Sequence, residues 1–114
     1  MPYIEAKLTS KLSPEKCEAL KSGFGKTIEL IPGKSEDWLM VNISDGQKMY
    51  FKGEDDKDSA FISVSIFGKA SSKAYSALTS ELCTLISYIA GVSPSRIYIT
   101  YREVDEWGWN GSNF

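Results

Sequence analysis

Residues 2–44 and 60–102 carry the same order of elements, a strand, a helix and a strand, offset by about 58 residues. Gly33 and Gly91 stand at matching places ahead of the two closing strands. Parallel strands cannot be joined by a tight turn, and a helix is the usual crossover. A chain built this way is read as a tandem βαβ duplication of the α/β (α+β) class, a four-stranded mixed sheet covered on one face by two helices.

Each element is marked by its own period. PYIEAKL alternates, with Ile4, Ala6 and Leu8 on one face and Tyr3, Glu5 and Lys7 on the other. Ser13 caps the first helix and Pro14 suits its first position; Cys17, Leu20, Phe24, Thr27 or Ile28, and Ile31 recur at helical spacing until PGK stops it. Gly23 and Gly25 weaken that helix, at about 1 kcal/mol each against Ala. WLMVNIS, residues 38–44, and AFISVSIF, residues 60–67, alternate again. The second helix has a stripe of Ala74, Ala77, Leu78, Leu82, Leu85, Ile86 and Ile89, and Gly91 ends it. RIYITYR forms the fourth strand.

Two helices suffice to cover one face of such a sheet. The other face holds Tyr3, Trp38, Met40, Phe61, Phe67 and Tyr98 among Ser, Thr and Asn. Large exposed apolar patches mark interfaces or binding sites, so this face is expected to be buried against copies of the same chain.

At 114 residues the chain is expected to form one domain over 1–114. A formal charge of -2 gives no basic stripe for nucleic acid. No apolar run approaches the ~20 residues of a membrane span, and no signal segment precedes the first strand. Cys17 and Cys83 lack CxxC spacing and are read as thiols; no metal is expected. The chain has no histidine, which excludes Ser-His and Cys-His nucleophiles and the commonest general base near neutral pH.

The chain opens Met-Pro, and once Met1 is removed Pro2 would present a free secondary amine at a strand start. That amine is the candidate base. MYF, residues 49–51, fits a short edge strand, and the acidic GEDDKD after it a solvated loop. The tail EWGWNGSNF gathers two Trp and a Phe beside turn formers; packing on its own chain and an inter-subunit role for residues 105–114 both fit it.

Taken together, the Met-Pro start, PGK before a strand, SIFGK, SPSRIYITY and the closing GWNGSNF resemble the macrophage migration inhibitory factor family of the tautomerase superfamily, along essentially the whole chain. The resemblance implies a homotrimer with sheets inside and helices outside. It also implies a pocket at each subunit interface, where aryl 2-oxo acids such as phenylpyruvate interconvert between keto and enol forms without metal or cofactor.

In that frame Pro2 is the catalytic base and then acid. Lys34 would pair with the substrate carboxylate, Tyr98 from a neighbouring subunit would give a hydroxyl donor, and a backbone amide at Ile66 or Phe67 would add another. Thr100 stands where the family has a substrate-binding asparagine, so binding of the acid group there rests on a single shorter hydroxyl. Tyr3, Trp38, Trp109 and Phe114 would form the walls. AFIS, residues 60–63, replaces the CxxC of mammalian members, so no thiol-exchange activity is implied. The rival role is a cytokine mimic that docks on a protein receptor. Location is expected to be cytoplasmic, with secretion lacking a signal peptide as the family's other route.

Overall fold

A computed structural model describes residues 1–114. The main sheet comprises β1 (Pro2–Leu8), β2 (Met40–Ser44), β3 (Ala60–Phe67) and β4 (Ile97–Val104), in the order β2-β1-β3-β4. β1 pairs parallel with β2 and antiparallel with β3, and β3 pairs parallel with β4, so two βαβ units meet at the centre of a mixed sheet. Helices α1 (Pro14–Thr27) and α2 (Ser72–Ala90) supply the two crossovers.

The alternation of the strands decides what the helices cover. Ile4, Ala6, Leu8, Ile62, Val64 and Ile66 are buried beneath Leu20, Phe24, Ile28, Leu78, Leu82 and Ile86 in one core. Each such Val, Leu, Ile or Phe side chain contributes about 1.5–3 kcal/mol on burial. The helix ends follow the sequence: the Ser13 side chain accepts from Lys16 N–H, Ser71 accepts from Ala74 N–H, and Gly91 takes the left-handed turn at φ 73°. Gly23 is needed for packing rather than for a turn, since a Cβ there would lie 2.5 Å from Leu85 of α2. Within the expected stripes, Ala77 is exposed and Cys17 only half-buried.

Three boundaries differ from expectation. α1 ends at Thr27 and continues as a single 3₁₀ turn over Ile28–Leu30, because Pro32 drives Ile31 into extended backbone at ψ 115°. Ile28 and Ile31 stay buried even so. Trp38 lies outside the strand, in a 3₁₀ turn over Glu36–Trp38, and β2 begins only at Met40. The partner strand explains this, for Met40 already faces Tyr3 and the next residue back is Pro2, which has no N–H to offer. MYF forms no strand; Phe51 makes one isolated bridge, to Glu54.

After β4 the chain closes in a small hairpin, β5 (Gly108–Trp109) with β6 (Ser112–Asn113). Tyr101, which alternation puts on the same face of β4 as Ile97 and Ile99, reaches a polar cluster between β4 and α2. Its hydroxyl donates to Tyr75 C=O at 3.1 Å, so it accepts from the Thr79 hydroxyl at 2.6 Å. Beside it the Tyr75 hydroxyl donates to Glu103 at 2.8 Å, and burial together with that carboxylate pushes the phenol up to about 12. Cys17 and Cys83 are unbridged. No helix is long and apolar enough to cross a membrane.

Candidate active site

The first residues of β1 open into the largest cavity of the fold, about 780 Å³. A volume of this size suits a small organic ligand. One cross-strand row contributes four of the lining side chains. Met40 faces Tyr3, Tyr3 faces Ser65 and Ser65 faces Arg102, so the row runs across all four strands on the face the helices do not cover. Pro2 lies at one edge of this row, and Trp38, Trp107 and Trp109 form the walls.

Their packing is specific. Trp38 stands edge-on to Trp109 with ring centroids 5.1 Å apart, and Trp109 lies nearly parallel to Phe114 at 6.4 Å. Phe114 in turn rests against Phe67 at 5.3 Å. Aromatic pairs in these arrangements add about 0.5–1.5 kcal/mol beyond area burial, which orders a terminal segment that would otherwise fray. The turn that removes Trp38 from β2 is what brings it to the hairpin.

Two polar groups meet at the chain start. The Lys34 ammonium donates to Phe67 C=O at 2.8 Å, and Phe67 N–H donates to the Met1 carbonyl oxygen at 3.0 Å. Burial first, then the charge and hydrogen bond of Lys34, hold the terminal amino group below its ordinary value. Loss of Met1 would remove the oxygen that occupies Phe67 N–H and would place the amine on Pro2, within the same surroundings. Between the two amides considered from sequence, the one directed at the chain start is that of Phe67; Ile66 is the ladder partner of Pro2.

Pro2, Tyr3, Trp38 and Trp109 thus share one cavity, with Lys34, Phe67 and Phe114 beside it. Tyr98 and Thr100 do not join them. Tyr98 faces Phe61 and Pro2 faces Ile66, five residues further along β3, a separation of roughly 17 Å. Thr100, opposite Ser63, is not among the cavity-lining residues and stands one same-face position short of Arg102, which is. Sequence reasoning missed Trp107, Met40, Asp37, Val104 and Arg102. Trp107 carried a signal in EWGW; Arg102 did not, since its place depends on strand register. Its guanidinium forms no salt bridge. No group of three acidic or Cys side chains stands where a metal could be held.

The model of the family described as macrophage migration inhibitory factor matches residues 1–114. The chain belongs to this family. It is 35% identical over 101 residues to macrophage migration inhibitory factor of Mus musculus and 33% identical to that of Meriones unguiculatus, covering 85% of both chains in each case. Among solved structures it is similar to Leishmania major MIF2, with a TM-score of 0.92 at 27% identity, 100% of this chain and 97% of that one being covered. The homologue from Prochlorococcus marinus gives a TM-score of 0.88 at 26% identity, covering 98% of each chain. Among members of the macrophage migration inhibitory factor family the mixed four-stranded sheet with two helices is therefore the shared frame. The three tryptophans of this chain all line its one large aromatic cavity.

Proposed function

We propose that the protein is a keto–enol tautomerase of aryl 2-oxo acids such as phenylpyruvate, with Pro2 as base and then acid once Met1 is removed. The observation that carries this is the convergence of the chain start, a nearby Lys34 ammonium and an aromatic-walled cavity. An exposed α-amino group titrates near ~8, and a site that lowers this value leaves more free base at neutral pH. The free amine would take a proton from C3 of the 2-oxo acid as the electrons move to the carbonyl oxygen, giving the enolate, and the protonated amine would then hand that proton to the oxygen, giving the enol. Return of a proton to carbon restores the keto form.

The substrate carboxylate would replace the Met1 carbonyl at Phe67 N–H and lie beside Lys34, while the ring stacks among Trp38, Trp107 and Trp109. Tyr98 would supply a hydroxyl from a neighbouring copy, because within one chain it is too far from Pro2; a homotrimer with the uncovered sheet faces inside accommodates this. Tyr3, Met40, Tyr98 and Phe61 on that face argue for the same burial, Met40 being 68% exposed and Tyr98 59% exposed in the single chain. Residues 105–114 would then lie near a subunit boundary.

The test is phenylpyruvate tautomerisation by untagged protein whose loss of Met1 is confirmed by mass, beside Pro2→Gly. The expected result is a rate that Pro2→Gly largely abolishes, with quenching of tryptophan fluorescence on ligand binding. Inactive protein that lacks Met1, or full rate in Pro2→Gly, overturns the assignment and leaves receptor binding as the surviving role.

A further inference from the structure

The second-face residue Tyr98 is exposed, yet its ring is held from two sides. Phe51 meets it at 5.2 Å and 69°, and Phe61, its partner on β3, at 6.5 Å and 85°. Phe61 belongs to the sheet, whereas Phe51 belongs to the loop between β2 and β3 and needs a support of its own. That support is Arg96.

Arg96 is 8% exposed and makes no salt bridge. Its Nε donates to Asp58 C=O at 3.0 Å, and its Nη2 to Lys57 C=O at 3.1 Å and Glu54 C=O at 3.2 Å. Its guanidinium lies 5.3 Å from the centre of the Phe51 ring. A buried cation satisfied only by backbone carbonyls and a ring face is costly to build, and a planar fork suits it where a lysine would not.

What Arg96 fixes is a tight turn. Phe51 and Glu54 exchange backbone hydrogen bonds at 2.9 and 3.0 Å, and the two residues between them, Lys52 and Gly53, have φ of 54° and 76°. This is the primed type of turn, in which a lysine is disfavoured at the first central position. Arg96 holds the turn by the Glu54 carbonyl and the ring by its face. Two residues later in the same segment, β4 presents Tyr98.

We propose that Arg96 is a positioning residue that, through Phe51, holds the Tyr98 phenol in the orientation from which it donates to substrate. This rests on the reading that the Tyr98 hydroxyl serves the cavity of a neighbouring copy, and it adds a chain of contacts that no substrate touches. Without Phe51 the Tyr98 ring keeps only one aromatic neighbour, and its hydroxyl samples directions that miss the substrate. Binding through Lys34 is untouched, so kcat falls more than KM rises.

The test uses untagged protein lacking Met1 and phenylpyruvate, with kcat and KM measured for Tyr98→Phe, Phe51→Leu, Phe51→Tyr, the Phe51→Leu/Tyr98→Phe pair, and Arg96→Lys. Phe51→Leu is expected to lower kcat by roughly three- to tenfold, the weight of one aromatic pair. Phe51→Tyr keeps the ring and restores the rate. In the Tyr98→Phe background, Phe51→Leu costs nothing further, because the hydroxyl it would misplace is already gone. Arg96→Lys is expected to follow Phe51→Leu, and the Phe51 variants decide the matter if Arg96→Lys unfolds. Loss in Tyr98→Phe with full rate in Phe51→Leu, or additive losses in the pair, overturns the positioning role alone. Full rate in Tyr98→Phe overturns both it and the use of the hydroxyl.

Discussion

Replacing Lys34 by Met removes a charge at the chain start while keeping much of the aliphatic stem. Two effects follow, with different signatures. The ammonium has three protons and gives one to Phe67 C=O at 2.8 Å, leaving two for a carboxylate. A hydrogen bond to a charged partner is worth about 1.5–3 kcal/mol, so at 1.4 kcal/mol per decade kcat/KM for phenylpyruvate should fall roughly 10- to 150-fold, mainly through KM. The second effect concerns the amine. In the chain that retains Met1, the charge of Lys34 lowers the proton affinity of the terminal amine; the same charge would act in the same sense on the Pro2 amine, so without Lys34 the cation should persist to higher pH and the acid limb of the rate profile move upward. Lys34→Arg keeps the charge and should leave that limb near its native place. Initial rates across pH 5 to 9 for the three proteins separate these effects. A Lys34→Met enzyme with native KM, or with its acid limb unmoved or shifted to lower pH, would refute the placement of Lys34 beside both amine and carboxylate.

Retention of Met1, or any residue fused ahead of Pro2, should abolish tautomerisation, since Pro2 is then an amide and Phe67 N–H stays occupied by the preceding carbonyl; mass and rate measured on one sample check this. Phe24→Ala, at a fully buried position of α1, should cost about 3–5 kcal/mol, read from the urea midpoint. Glu103 accepts from the Tyr75 hydroxyl and from Ala70 N–H, and these bonds hold its carboxyl below the ordinary value of 4.5. A depressed folded value stabilises above the unfolded value and is lost as pH falls through the folded one. The stability gap between the native protein and Glu103→Gln should therefore narrow from about pH 4.5 downward in urea titrations. A gap that widens on acidification would contradict this assignment.

Local signals made the frame legible. Alternation in PYIEAKL and AFISVSIF, the Ser13 cap and the Gly91 stop each depend on residues within a few positions of one another, and β1, β3 and these helix ends stand where those signals put them. Apart from the end of α1, which the adjacent Pro32 sets, the errors arise where a distant segment decides. Trp38 leaves the strand because Pro2, on a different strand, has no N–H for that stretch. Tyr101 fits an apolar stripe by spacing, and only the approach of α2 gives its hydroxyl two partners. Arg102 and Met40 enter the cavity through the row Met40–Tyr3–Ser65–Arg102, and that row is a property of register, which spacing along one strand does not encode.

The same register separates Tyr98 from Pro2 within one chain, so the proposed site draws on a second copy. Alternation places Tyr3, Ser65, Arg102, Thr100 and Tyr98 on one face, but the face is long enough that its two ends cannot serve one ligand. Pro2, Lys34 and the tryptophans gather at one end. Tyr98, with Phe51 and Arg96 behind it, stands at the other. A side chain so carefully held, and so far from the amine of its own chain, has a chemical use only if another copy brings its own Pro2 end to it. Burial of the aromatic face and arrival of the Tyr98 hydroxyl at a cavity are then one requirement, which ties the proposed use of that hydroxyl to the proposed assembly.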